Sequence, residues 1–469
     1  MPSFNSDDVI QIQTISQDAR TFLAQGRWGY FLVFEWLQDN NPGGLFYSAI
    51  GCGLLLISSW FGAQVIGLKH AAAVYSFMLI SCVSIYYGML FDFSSTWIAY
   101  PLGNFFSLGG IYSVLKRQYL TGLVALTLSP SFYPASAQVA GLILLCLVFS
   151  GVMTQQARPA TKRFLIAATA LIFGLILYYF MTRMLFYVTG LEASTRMSIS
   201  PLAFISNAET IKSLFFDHSI AFISFAKPSS YVSLRWTLPL LGIFSLFVIV
   251  CILVYSAQLN SLEKWIAVLI ATLLLFAPFA LAFAASNTPF PPRSLIALAS
   301  LHAFWVAFVI DSACRQAAHW RYYGAALVGV LSLALLFVFD SASQINKFAY
   351  DKYLATQSDL FATNRIISRI ENVAATIRKP LATSQPLVVI YEVPLPAGPR
   401  GDAGTSRFAP WSREWIFRLV DTRFIPAPEK YRKAAVEAAK TRSDWPAEDS
   451  VFFIDDVVVV IVNQVRKPT

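Results

Sequence analysis

The chain has 469 residues, of which 56% are hydrophobic, 15% aromatic and only 13% charged, and its mean hydropathy is +0.58. About a quarter of a soluble domain is charged, so this composition excludes an ordinary water-soluble protein; apolar stretches near 20 residues long point to spanning helices rather than a barrel. The net charge of +9 does not call for nucleic acid, because much of it falls in short loops, where it reports orientation in a membrane.

The chain opens with "SFNSDDVIQI", which places Asp7 and Asp8 side by side ahead of the first apolar stretch. "TISQDARTFLAQGRWGYFLVFEWL" follows, with apolar residues at helical spacing, interfacial aromatics, and two cations, Arg20 and Arg27. Residues 1–43 read as an amino-terminal segment with an acidic motif and an interfacial helix. The first 40 residues lack a basic stretch followed by an apolar core, so no cleavable signal is expected.

Ten spanning candidates come next, at 44–66, 71–90, 96–114, 119–133, 136–153, 164–187, 236–256, 264–285, 294–311 and 322–339. The fourth is short and ends at "SPSFYPA", where Pro130 and Pro134 are expected to stop the helix. Together they predict a polytopic α-helical membrane domain over 44–339. The loops alternate in charge. One set carries Lys69; Lys116 and Arg117; Arg158, Lys162 and Arg163; Lys264; and Arg315 and Arg321. The other, "FDFSS", "SPSFYPA" and "SNTPFPP", has no Lys or Arg until Arg293 at its edge. The positive-inside rule assigns the first set to the cytoplasm. The amino-terminal segment, the 188–234 loop and everything beyond 340 then lie outside. Within that loop "NAETIKSLFFDHSIAFISFAK" is expected to form a helix along the membrane surface.

Prolines and charges rise over the last 130 residues, and no stretch there is apolar and long enough to span. "LVVIYEV" (387–393) and "VFFIDDVVVVIV" (451–462) read as strands, with helical patterns at 345–378, 411–420 and 428–441. A small α+β extracytoplasmic domain is predicted over 340–469.

Few residues have the chemistry for a site. All five cysteines (Cys52, Cys82, Cys146, Cys251, Cys314) lie in or at the ends of apolar stretches without a spaced partner, and the four histidines form no ligand pattern. Asp7 and Asp8 can act as a general base and its neighbour, or hold a divalent metal ion, because adjacent carboxylates push their pKa values apart; "NSDD" is equally a helix start. Asp92 is the only charge in its outer loop, a second carboxylate or an ordinary interfacial Asp. Arg20 and Arg27 stand where positive charge is normally avoided, suited to pairing with a carboxylate, to a phosphate or to lipid headgroups. Arg293 opens a helix from the outside, against the helix dipole, which points to an anionic partner. Asp455 and Asp456, between two β-rich runs, read as a hairpin turn.

The "DD" at 7–8, "GRW" at 26–28, "FD" at 91–92, "SPSFYPAS", "PRSL" at 292–295 and the late "PLVVIYEVP" resemble the bacterial and phage O-antigen glucosyltransferases that drive serotype conversion. The resemblance implies a GT-C-like membrane enzyme of the bacterial inner membrane, facing the periplasm. It implies a sugar, glucose by the family's name, moved from a polyprenyl-phosphate donor to a lipid-linked glycan acceptor, with membrane lipids as surroundings and no nucleic acid. Asp7 and Asp8 match the catalytic acidic motif, Asp92 the second acid of an outer loop, and Arg293 the arginine of the late outer loop. Two features depart from the family: "VIQIQ" follows the acidic pair where an arginine is usual, and only six residues precede Asp7. A membrane helix ahead of Asp7, encoded upstream or supplied by a partner, is therefore expected. Two other readings share the outer-face charges: a transporter or flippase of lipid-linked glycan, and a polysaccharide polymerase or ligase.

Overall fold

The computed structural model describes residues 22–37, 45–90, 96–194, 207–214, 259–284, 292–316, 323–391 and 413–463. Asp7, Asp8, Arg20, Asp92, the candidate span at 236–256 and most of the 188–234 loop lie outside the described residues; of that loop's expected surface helix, Ala208–Leu214 is helical. The chain divides into two compact units. The described residues of one lie within 22–346, and those of the other within 347–463.

The first unit is a helical bundle. Its helices are α1 (Trp28–Leu32), α2 (Leu45–Ile66), α3 (Ala71–Cys82), α4 (Ile85–Leu90), α5 (Ala99–Leu115), α6 (Tyr119–Phe132), α7 (Ala135–Met153), α8 (Ala157–Thr189), α9 (Ala208–Leu214), α10 (Ser261–Phe276), α11 (Ala280–Ala284), α12 (Ile296–Gln316) and the start of α13 (Tyr323–Thr376). Nine of the ten candidate segments are thus helical, yet six helices among the described residues are long and apolar enough to cross a membrane: 46–66, 135–153, 157–189, 261–279, 296–315 and 327–347. The second candidate breaks at Val83 and Ser84 into two short helices. Pro130 does not end α6. It sits within the last turn, and the chain turns extended only at Tyr133, ahead of Pro134. Pro130 lacks the N–H that would reach the Leu126 carbonyl, so one backbone bond is lost, and the helix has only two residues left to run.

Burial orders the bundle. Of the apolar window of α12, 94% is buried, against 11% for α8, so α12 is central and α8 lies at the periphery. The central helix packs on α3 and α7, and its buried side chains, Phe304 and Phe308 among them, meet Phe149 of α7 edge-on. Helix α10 starts at a capping box: the Asn260 side chain accepts from the Glu263 N–H at 2.9 Å, and Glu263 accepts from the Asn260 N–H at 3.0 Å.

Helix α13 is 54 residues long. No Pro or Gly interrupts it between Gly329 and Pro380, so the change from apolar to charged composition near 340 falls inside one continuous helix.

The second unit holds a four-stranded sheet in the order β2-β1-β4-β3, from β1 (Gln385–Tyr391), β2 (Phe424–Pro426), β3 (Val451–Ile454) and β4 (Val457–Asn463). β1 is parallel to both neighbours, while β3 and β4 form an antiparallel hairpin closed at Asp455 and Asp456, as their sequence predicts. Both faces are covered. Alternate residues Leu387, Val389 and Tyr391 pack with Ile366 and Ile370 of α13 and with Ile416 and Phe417 of α14 (Arg413–Val420). Val388 and Ile390 pack with Ala435 and Ala439 of α15 (Glu429–Ala439). A strand buried on both faces reads as a continuous apolar run, which is what "LVVIY" is.

Candidate functional site

Arg27 is the candidate whose side chain the structure describes. It follows Gly26, whose φ of +72° lies in the left-handed region that favours glycine. The Gly26 carbonyl accepts a hydrogen bond from the Tyr178 hydroxyl of α8 at 3.1 Å. The next turn, α1, lies against the end of α6: a Cβ on Gly29 would fall 2.3 Å from Ser131 Oγ and 3.1 Å from the Phe132 ring. Only glycine permits this approach, and the contact fixes Arg27 over the α6–α7 corner.

There the guanidinium Nη1 donates to the Tyr100 hydroxyl at 3.1 Å, and its carbon lies 5.9 Å from the centroid of the Tyr133 ring. The Tyr100 and Tyr133 rings stack at 4.0 Å with 18° between planes. Tyr30 closes the cluster, its ring 5.8 Å from that of Tyr100. Among the described residues no carboxylate pairs with Arg27. A half-buried cation on an aromatic floor, without such a counter-charge, is suited to an anionic ligand.

The sequence motifs "GRW" and "SPSFYPAS" are therefore in contact. A second pair of motif segments also meets: α4, which leads up to Asp92, packs on the turn Pro292–Leu295 that contains Arg293 and opens α12. The backbone of Arg293 stands in this turn, directly ahead of α12. Its side chain, like Asp7, Asp8, Arg20 and Asp92, lies outside what is described. Buried polar groups connect the two pairs of segments. Asn104, one turn along α5 from Tyr100, donates to the Tyr87 hydroxyl of α4 at 3.0 Å, and Tyr87 also hydrogen-bonds Ser300 of α12. Among the described residues no group of three or more His, Cys, Asp or Glu is placed to hold a metal ion.

A model of one protein family, described as "Glucosyl transferase GtrII", matches residues 1–310. The chain belongs to the GtrII glucosyl transferase family. The match takes in Arg27, Tyr100, Tyr133 and the 292–295 turn of this GtrII protein, and ends within α12; the sheet unit lies beyond it. No curated protein and no solved structure matches the chain.

Sequence reasoning missed Tyr100 as Arg27's partner, because nothing in "WIAYPLG" marks one tyrosine among twenty. It also passed over Asp311. This carboxylate, 3% exposed, accepts from the backbone N–H groups of Lys69 and His70 at 3.0 Å each, and from Arg315 Nε at 2.9 Å and Nη2 at 2.6 Å. An Asp inside an apolar helix with Arg at i+4 was the available signal. Its partners include the Lys69 loop, and Arg163 donates nearby to the Val65 carbonyl at 3.2 Å. Three of the basic segments that the charge pattern grouped together thus share one end of the bundle, remote along α12 from the 292–295 turn.

Proposed function

We propose that this GtrII glucosyltransferase takes glucose from a polyprenyl-phosphate carrier and joins it to a lipid-linked glycan such as O-antigen, on the periplasmic side of the bacterial inner membrane. The observation that carries the reading is Arg27, held without a carboxylate partner among the described residues on the Tyr100–Tyr133 floor, in the contact between two motifs of the family resemblance.

In the proposed reaction an acceptor hydroxyl attacks the anomeric carbon of glucose. The bond from that carbon to the phosphate oxygen breaks, and polyprenyl phosphate departs. Asp8 takes the hydroxyl proton as general base; Asp7 supports it, with Asp92 as the second acid. If a divalent ion takes part, Asp7 and Asp8 are the residues to hold it. Arg293 meets the charge that grows on the departing phosphate, where a prearranged cation is most effective, while Arg27 and Arg20 bind the phosphate of the donor. On this reading residues 1–43 and 340–469 flank the spanning region of 44–339 on the periplasmic side, and the Asp311 end of the bundle faces the cytoplasm.

The test is transfer from polyprenyl-phosphate glucose by the purified chain, compared with Arg27→Ala. Normal transfer by Arg27→Ala removes Arg27 from the phosphate site. Movement of lipid-linked glycan across the bilayer without any transfer supports a flippase instead.

A further inference from the structure

We infer that Tyr100 is a positioning residue for the donor phosphate: a neutral anchor that aims the Arg27 guanidinium without cancelling its charge. The inference rests on the reading of Arg27 as a phosphate-binding residue and adds what makes it one.

Three observations support it. First, the Tyr100 hydroxyl accepts from Arg27 Nη1 at 3.1 Å. Second, Tyr100 cannot easily turn away. It is 5% exposed, its ring lies flat on Tyr133 at 4.0 Å, and Tyr30 stands 5.8 Å from it. Third, the described residues that frame Arg27 are neutral: Tyr100, Tyr133, Gly26 and Tyr178. A carboxylate in the place of the Tyr100 hydroxyl would orient the guanidinium as well, but it would neutralise it and repel a phosphate. A phenol takes one of the five guanidinium donors and leaves the charge whole. Contrast the other end of the bundle, where Arg315 is tied to Asp311 through two nitrogens and its charge is compensated. The same residue type serves as a structural clasp there and as an open cation here, and the difference lies in the partner.

The mechanism is binding rather than chemistry. A correctly aimed Arg27 meets the phosphate equally before and during bond breaking, so its anchor should govern the donor KM and leave kcat nearly alone.

The test uses the full chain in detergent, with polyprenyl monophosphate as binding probe and polyprenyl-phosphate glucose for kinetics. Tyr100→Phe keeps the stacked ring and removes only the hydroxyl. It is expected to weaken probe binding about tenfold, the worth of one hydrogen bond to a charged group, and to raise the donor KM by a like factor with kcat within about twofold. In the Arg27→Ala background the same change should add nothing. Wild-type affinity in Tyr100→Phe overturns the proposal, as does an equal further loss in the Arg27→Ala background, which marks a structural role. Should Arg27→Ala itself bind the probe like wild type, the phosphate reading of Arg27 fails first, and the anchor with it.

Discussion

The His70 ring Nδ1 lies 2.9 Å from Asp311 Oδ1, although the two residues are 241 positions apart. His70 precedes α3, and Asp311 lies in the last turns of α12. The carboxylate thereby clasps the start of one helix to the end of the other, and it satisfies two backbone N–H groups of the turn between α2 and α3 as well. Asp311→Ala leaves these donors and Arg315 without their acceptor. A loss on the order of 3 kcal/mol is expected, since breaking a buried pair from one side exposes the partner's unmet charge. Thermal unfolding in detergent measures it. The clasp is remote from the 292–295 turn, so transfer per folded molecule should stay near wild type; a loss of kcat at normal stability would contradict the structural role.

A second prediction concerns the contact that seats Arg27. Gly29→Ala puts a methyl group 2.3 Å from Ser131 Oγ, and overpacking of this kind costs about 1–3 kcal/mol. Since α1 is short, it should shift rather than unfold, carrying Arg27 off the tyrosines. Donor affinity should fall while membrane insertion persists. Ser131→Gly removes the clashing oxygen, so the double variant should recover part of the affinity. No recovery would mean that the Phe132 ring, at 3.1 Å, sets the limit instead.

These two contacts show what could and could not be read from the chain alone. Local signals carried far: apolar windows located nine helical segments, "IDDV" announced the β3–β4 turn, and the pattern at 428–441 became α15. Long-range partners did not show. Tyr100 and Asp311 matter through residues 73 and 241 positions away, and neither bears a local mark of its partner. Strand β2 is three residues long, held by pairing with β1 and by Phe424 packed on Phe417 of α14, and is too short for any periodicity. The compositional change near 340 reports a change in surroundings rather than in backbone, because a helix without Pro or Gly continues through it.

The pH dependence of the sheet unit follows from Asp421. Arg423 donates to its carboxylate from Nε at 2.9 Å and Nη2 at 2.6 Å, and also from its backbone N–H. Chiefly the side-chain hydrogen bonds hold Asp421 below the ordinary carboxylate range, although partial burial opposes them. The folded state then releases this proton more readily than the unfolded state. The contribution is complete above the unfolded pKa of about 4 and is lost as pH falls through the lower folded value. Asp421→Asn should therefore destabilise the unit at pH 7, and the gap from wild type should close at acid pH. Hydrogen exchange over residues 413–463 of the full chain reads this directly; a gap that widens on acidification has the wrong sign.

The sidedness proposed from the Lys/Arg pattern is open to labelling. Single cysteines at positions 69, 117 and 160 should resist an impermeant thiol reagent applied from the periplasmic side, and those at 92, 290 and 400 should react. Lys69 shares its end of the bundle with Arg163 and Arg315, so 69 and 160 are expected to behave alike. Reaction at 117 but not at 290 would invert the assignment and place the Arg27 end in the cytoplasm.

The acidic pair provides the sharpest test of the chemistry. On a helix, adjacent residues point about 100° apart, so only one of Asp7 and Asp8 can aim at the acceptor hydroxyl. With Asp8 as base, Asp8→Asn should lower transfer by roughly 10²–10⁴-fold while the protein inserts and folds. Asp7→Asn should cost less. Asp455→Asn is the matched control, since Asp455 turns the β3–β4 hairpin with a φ of +52°, a conformation that Asn tolerates well. Glycan modification in cells, scored against membrane yield, separates the cases. Near-normal transfer in both amino-terminal variants would make the pair a helix cap and move the general base elsewhere, with Asp92 next in line. Loss of transfer in Asp8→Asn with unchanged binding of polyprenyl phosphate would separate proton removal from donor capture, the role proposed for Arg27 and Tyr100.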